Sequence, residues 1–243
     1  MKLEVDGVVF RYEGEPLLKG LSFSVDAGEF VSILGPSGCG KSTILNLLAG
    51  ILTPEAGEMR VDGDPIRGMS GRFAYMPQND LLFPWKTILQ NVCLHGKLHG
   101  MERAARERAL ALFPLFGLAG YENAYPDDLS GGMRQRAAFL RTALCDADIL
   151  LLDEPFGALD VITRSDMQDW LVSMRKHLSR TCLLVTHDID EAIFLSDRIL
   201  VLGGRPADIC SEHRIVEANR TREWLYGQNA LRRQLHDSIR GRS

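Results

Sequence analysis

Residues 35–43 read Gly-Pro-Ser-Gly-Cys-Gly-Lys-Ser-Thr, and this stretch decides how the rest of the chain is read. Phe30, Val31, Ile33 and Leu34 lead into it and Ile44, Leu45, Leu47 and Leu48 follow, so the glycines stand where a buried strand gives way to a helix. Gly35, Gly40, Lys41 and Ser42 have the spacing of a phosphate-binding loop. In such a loop glycines let backbone N–H groups approach phosphate oxygens, and the helix N-terminus adds positive partial charge. Lys41 then reaches the terminal phosphates and Ser42 offers its hydroxyl to magnesium. The plainer alternative is a glycine-rich turn before a core helix, and the strand-to-helix context weighs against it.

The 243 residues suffice for a sizeable core, expected to form one domain with two lobes. Hydrophobic residues at 45% and charged residues at 25% exclude disorder and fibrous repeats. The longest charge-free runs, Ser42 to Pro54 and Ala109 to Tyr121, are thirteen residues each. A bilayer needs about 20, so a membrane role would be peripheral. Met1 to Asp6 contain no apolar secretory core, which predicts a cytoplasmic chain. Cysteines 39, 93, 145, 182 and 210 lack paired metal-ligand spacing, against both disulfides and zinc. Cys39, ahead of a helix, is expected to have a lowered thiol pKa. The net charge is −4, yet residues 214–243 hold seven arginines against Glu217, Glu223 and Asp237. That tail reads as a solvated helix face rather than a lipid or partner contact, and not as a nucleic-acid site.

Residues 3–10 and 21–34 are rich in Val, Phe, Leu and Ile, with a turn at Glu13-Gly14-Glu15-Pro16, and predict a β-rich N-terminal lobe. Tyr12 lies there, either stacking on an adenine ring or standing as an edge-strand aromatic. Glu58 to Val61 with Asp62-Gly63 suggest another hairpin, and Phe73 to Met76 a short strand running to Gln78. Trp85 to Leu98 and Glu102 to Leu118 carry helix formers at helical spacing and predict a helical insert. Ile149 to Leu152 form a continuous apolar run, as in a parallel sheet covered on both faces. Met167, Trp170, Leu171, Met174 and Leu178 lie on one helical face within 160–178, and Cys182 to Val185 and Ile199 to Leu202 repeat the buried strand. Strand-helix alternation of this kind implies an α/β fold with catalytic groups at the strands' carboxyl ends. Leu231, Leu235 and Ile239 suggest a terminal helix.

Asp153 and Glu154 close the apolar run, where acids are costly to desolvate unless a ligand or metal uses them. Asp153 is the partner of Ser42 for magnesium, which keeps several waters. Glu154 is placed to orient or deprotonate an attacking water, the alternative being a helix N-cap. His187 ends the next parallel strand and belongs in the same crevice. Gln78 can offer its amide to water or magnesium. Ser130 precedes Gly131 and Gly132, a helix start suited to a second anion; two glycines would be wasteful for capping alone.

These residues together resemble the ATP-binding subunit of ABC transporters, from near residue 3 to about 203. Gly35 to Thr43, with Pro36, Ser37, Gly38, Cys39 and Gly40 between, look like the Walker A loop. Gln78 is similar to the Q-loop, Leu129 to Arg136 to the signature, Ile149 to Glu154 to the Walker B strand, Gly157 to Asp160 to the D-loop, and His187 to the switch histidine. The resemblance implies a P-loop NTPase core with a mostly parallel sheet, an antiparallel N-terminal β subdomain and a helical insert. Its boundaries would be 1–80 and 147–210 for core and β lobe, 81–146 for the helical lobe, and 211–243 for a helical tail. It implies Tyr12 on adenine, ATP and Mg2+ as cofactors, and catalytic parts for Glu154, His187, Gln78 and Asp160. It further implies a head-to-tail pair of copies, each ATP held between one Walker A loop and the partner's Ser130, Gly131 and Gly132.

Leu81 to Thr87, with Phe83-Pro84-Trp85, resemble the stretch that receives the permease in importers of sulfonates, taurine, nitrate and thiamine-precursor pyrimidines. The resemblance therefore implies an integral-membrane permease as partner, a substrate-binding protein indirectly, and a place on the cytoplasmic face of the membrane. Arg141-Thr142-Ala143, where many relatives have Ala-Arg-Ala, and the tail after Gly203 depart from that subfamily. A repair or assembly ATPase of the same superfamily is the alternative, as is an ATPase of another transporter class. A simple P-loop kinase or GTPase has no need of Ser130 to Gly132.

Overall fold

Aliphatic runs bounded by glycines and acids become the strands of two sheets. The computed structural model describes residues 1–178 and 180–241, the side chains of 176–178 excepted. In chain order these are β1 (Leu3–Tyr12), β2 (Glu15–Val25), β3 (Phe30–Leu34), α1 (Lys41–Leu48), β4 (Ala56–Val61), β5 (Asp64–Pro65) and β6 (Phe73–Met76). The helical insert follows with α2 (Ile88–Val92), α3 (Leu94–Leu98), α4 (Glu102–Leu112) and α5 (Gly131–Ala143). Then come β7 (Ile149–Asp153), α6 (Val161–Leu178), β8 (Thr181–Thr186), α7 (Ile189–Leu195), β9 (Arg198–Gly203), β10 (Asp208–Arg214), α8 (Arg222–Tyr226) and α9 (Asn229–Ile239).

The larger sheet has the order β10-β9-β3-β8-β7-β6, parallel throughout except for β10. The smaller, β2-β1-β4-β5, is antiparallel. This is the α/β P-loop fold with an antiparallel β subdomain. The apolar run of β7 serves two cores because successive side chains point to opposite faces. Leu150 and Leu152 pack with Phe139, Met167 and Phe194 on one side. Ile149 and Leu151 pack with Ile44, Leu45 and Val5 on the other. All four are fully buried, and cutting any of these leucines to alanine would cost roughly 2–5 kcal/mol. Met167, Leu171 and Met174 of α6 are buried as expected and Trp170 packs against the same core. The side chain of Leu178 lies outside the described residues.

Two helical expectations need correction. The stretch from Trp85 begins its helix only at Ile88, because Thr87 caps it: Thr87 Oγ1 accepts from the Gln90 backbone amide, and the Thr87 backbone amide donates to Gln90 Oε1. The segment to Leu118 ends its helix at Leu112, ahead of Pro114, whose ring and missing N–H oppose an uninterrupted helix. The antiparallel edge strand β10 carries few apolar residues and gave no signal in the sequence.

The basic tail is a solvated face only in part: Arg233 and Arg240 are exposed, but three other arginines are not free. Arg220 donates to Asp197 at 3.1 Å, Arg222 to Asp169 at 2.9 Å, and Arg232 to Asp190 at 2.5 Å. Part of the charge that looks like an excess over residues 214–243 is thus matched by carboxylates of the body. Arg242 lies outside the described residues.

Candidate functional site

Glycine opens the phosphate-binding loop for a visible reason. Gly40, the residue before α1, has φ 102°, and a Cβ there would stand 3.2 Å from the Leu17 side chain. No side chain caps α1, so its first amides point bare into a cleft of about 400 Å3. Ser37, Lys41, Ser42, Thr43, Gln78 and Glu154 are among its lining residues. Lys41 is buried, its Nζ donating to the carbonyls of Gly35 at 2.9 Å and Pro36 at 3.0 Å. Ser42 Oγ donates to Asp153 Oδ1 at 2.9 Å. A contiguous cleft of about 390 Å3, sharing Leu17 and Gly38, is lined by Tyr12, Glu15, Cys39 and Arg205. Tyr12 is 57% exposed there, its ring edge-on to Phe10 at 5.7 Å.

The carboxyl ends of β7 and β8 bring the second half of the site together. Glu154 has φ 43°, a conformation that costs a non-glycine residue energy and is retained where the surroundings impose it. Its amide donates to the Val185 carbonyl at 2.9 Å, tying the turn to β8. Its carboxylate stands between two cations or potential cations: Oε2 is 3.0 Å from His187 Nδ1, and Oε1 is 3.8 Å from Lys41 Nζ. Glu154 is therefore not a helix N-cap. Asp160 is one, accepting from the amides of Ile162 and Thr163 at 3.1 Å each. The Thr163 hydroxyl at 2.6 Å, followed by its amide, holds the Asp160 carboxyl below its usual range.

Ser130 caps α5, its Oγ accepting from the Met133 amide, as the sequence implied. Neither it nor Gly131 nor Gly132 lines either cleft. Gly132 instead fits against Thr163, where a Cβ would come within 2.8 Å of the threonine methyl. Gln135 donates from Nε2 to the Pro155 carbonyl and joins α5 to the turn after Glu154.

The expected reactive thiol is overturned. Cys39 is 4% exposed, and burial, only partly offset by Lys41, pushes its pKa up. A helix N-terminus lowers a thiol pKa only where the thiolate keeps its solvent or a partner. Tyr75 escaped notice in the sequence. Its hydroxyl donates to Asp153 Oδ2 at 2.8 Å, so Asp153 is held by Ser42 on one oxygen and Tyr75 on the other. Burial and the Asp153 charge push the Tyr75 pKa up, keeping it a donor. Nothing local in Phe73 to Met76 marks this, because the partners are 78 positions apart.

Glu191, buried in α7 behind His187, has its pKa pushed up to about 8 by desolvation. Thr186 Oγ1 donates to its Oε2 at 2.9 Å, while Oε1 has no hydrogen-bond partner among the described residues. The folded chain thus binds this proton more tightly than the unfolded chain, so stability falls as pH rises from the ordinary carboxyl range toward 8. Glu191→Gln should therefore raise the melting temperature, with a larger gain at about pH 8.5 than at about pH 5. Equal gains at both pH values in thermal melts would show that Glu191 does not titrate in this window.

The pattern of the ABC transporter family covers residues 18–157, more than half of the chain. The chain belongs to the ABC transporter family. It is 43% identical over 208 residues to the taurine import ATP-binding protein of Yersinia pestis, spanning 85% of this chain and 82% of the relative. Identity is 47% over 206 residues to the formylaminopyrimidine import ATP-binding protein of Halalkalibacterium halodurans, spanning 84% and 80%. A solved ATP-binding cassette, a dimer in a post-hydrolysis state bound to ADP and Pi, aligns with TM-score 0.72 at 29% identity, covering 88% of this chain and 99% of that one. This ABC chain is accordingly an ATPase of the cassette fold. No helix among its described residues is long and apolar enough to cross a membrane.

Proposed function

We propose that this chain is the ATP-hydrolysing subunit of a bacterial importer, working as a head-to-tail pair that drives separate integral-membrane permease subunits. One observation carries the paired site: Ser130, Gly131 and Gly132 form an anion-suited helix start that lines neither cleft of its own subunit. A second copy turned end to end would lay that helix start over the ATP held by the first. Importer relatives for taurine and formylaminopyrimidine support a small organic anion or thiamine-type precursor as cargo.

Within one subunit, the α1 amides with Lys41 and Thr43 would cradle the phosphates, and Tyr12 would stack on adenine. Ser42, Asp153 and Gln78 form a hard-oxygen donor set that fits magnesium, which prefers few protein ligands beside phosphate oxygens and water. Bound there, the ion would neutralise charge developing on the phosphates. Glu154 takes the proton of a water that attacks the terminal phosphorus in line, and the bond from that phosphorus to the bridging oxygen of the departing ADP breaks. His187, 3.0 Å from Glu154, would orient the carboxylate and lie within reach of the terminal phosphate. Asp160, capping α6 beside Thr163 and Gly132, would lie where the two copies meet. Opening and closing of the pair would follow nucleotide contacts made in only one state.

The permease would dock near Phe83, Pro84 and Trp85. Trp85 is 70% exposed and packs on Phe83 at 5.2 Å, an aromatic anchor presented to a partner. The chain would then work peripherally at the cytoplasmic face of the membrane, with a substrate-binding protein reached only through the permease.

Ser130→Glu tests the shared site. Its carboxylate would oppose the terminal phosphate across the interface, so ATP-induced dimers and hydrolysis should vanish while one subunit still binds ATP with unchanged affinity. Light scattering with nucleotide titration reads both. An ATP-dependent dimer persisting in Ser130→Glu would overturn the paired arrangement.

A further inference from the structure

His187 is held only by what surrounds it. The residue sits between the end of β8 and Asp188, which caps α7 by accepting from the amides of Asp190 at 2.9 Å and Glu191 at 3.1 Å. Its placement against Glu154 thus depends on how the first turn of α7 is fixed. Thr186 Oγ1 at the end of β8 ties the turn from below, accepting from the Asp188 amide at 3.0 Å and donating to Glu191 Oε2 at 2.9 Å, and two arginines of other helices reach it from outside. Arg164 of α6 lies 3.8 Å from Asp188, a loose contact. Arg232 of α9 donates from Nε to Asp190 Oδ1 at 2.5 Å, a short charge-assisted bond.

Arg232 is itself clamped. Its Nη2 donates to the Leu225 carbonyl at 2.7 Å and its Nη1 to the Tyr226 carbonyl at 3.2 Å and Asn229 Oδ1 at 3.3 Å. The guanidinium therefore cannot follow a moving Asp190 unless the tail moves with it. The tail is anchored in turn: Arg222 bonds Gln168 and Asp169 on α6 and lies over the Phe194 ring of α7 at 4.3 Å. Between the His187 loop and α9 runs an open cleft of about 490 Å3, with Arg232 and His236 on the tail side.

We propose that Arg232 is a positioning residue for ATP hydrolysis: it locks the first turn of α7, sets His187 against Glu154, and so couples the C-terminal tail to turnover. This rests on the hydrolytic roles given to Glu154 and His187 above. Charge, planarity and the fixed distance from Leu225 make the bond specific, and a lysine would keep the charge while losing most of the fork.

Steady-state ATPase of the full chain tests it, with Arg232→Gln, Arg232→Lys, Asp190→Asn, and the double change Asp190→Asn with Arg232→Gln. Arg232→Gln should lower kcat about fivefold with KM for ATP within about twofold, since a half-exposed pair is of modest strength. Arg232→Lys should recover part of the loss, and the double change should be no slower than the slower of its single changes, since both remove one bond. A full kcat in Arg232→Gln, a change confined to KM, or losses of the two single changes that multiply in the double would overturn the proposal. Glu154→Gln assayed alongside separates the two readings. If Glu154→Gln turns over like wild type, the hydrolytic assignment fails; an inactive Glu154→Gln beside a full-rate Arg232→Gln sinks the positioning role alone.

Discussion

Glu154→Gln is expected to bind ATP as tightly as wild type and to lose turnover by about a thousandfold, the scale of a general base. The substitution keeps the size and hydrogen-bonding reach of the side chain and removes its charge and basicity. Backbone geometry should survive, because the turn is held by the Glu154 amide on the Val185 carbonyl and not by the carboxylate. Affinity should be retained because a carboxylate 3.8 Å from Lys41 competes with phosphate for that amine. With hydrolysis blocked and ATP bound, the closed pair should accumulate and elute at twice the monomer mass. Hydrolysis at the wild-type rate would remove Glu154 from the chemistry.

Lys41→Met should instead lose ATP. The methionine keeps the apolar stem that α1 buries and deletes the charge. In the structure Lys41 Nζ donates to two loop carbonyls at 2.9 and 3.0 Å, so the amine is already aimed across the mouth of the loop where phosphates would arrive. Hydrogen bonds to charged groups are worth about 1.5–3 kcal/mol each, so losing one or two should weaken ATP binding about a hundredfold. Nucleotide titration by fluorescence reads this directly. An affinity within about twofold of wild type would mean that the phosphates do not rest on this loop. The pair of variants is diagnostic together: one fails after binding, the other before it.

The legible part of this protein is the part written in neighbours. Gly40, Lys41 and Ser42 announce a loop because the turn, the helix start and the cradle are all made by adjacent residues. Ser130 is read as a cap for the same reason, whereas the Thr87 cap, equally local, is not, and so the start of α2 at Ile88 escapes a reading by periodicity alone. Pro114 was a local signal against helix to Leu118 that helical spacing outweighed. The reading failed where burial or a distant partner intervened. Cys39 follows the rule for a helix N-terminus until the packing of Gly35 and Leu202 around the loop leaves it 4% exposed, and desolvation then dominates its pKa. Arg220, Arg222 and Arg232 look like surplus charge until Asp197, Asp169 and Asp190 are brought beneath them.

Sequence by itself determined the strand-loop-helix unit at residues 30–48, the alternation that demands a parallel sheet, and the types of residue available for phosphate, metal and water. Those follow from steric and hydrogen-bonding preferences acting over a few residues. The strand alternation also predicts His187 beside Glu154, and the pairing of β7 with β8 sets the two at 3.0 Å. Tertiary structure alone supplied the rest: it decided that Tyr75 steadies Asp153 and that Arg232, 42 positions from Asp190, ties the tail to α7. The reason is physical: strand order and the burial of charge are settled by packing the whole chain at once, and no local stretch carries that information.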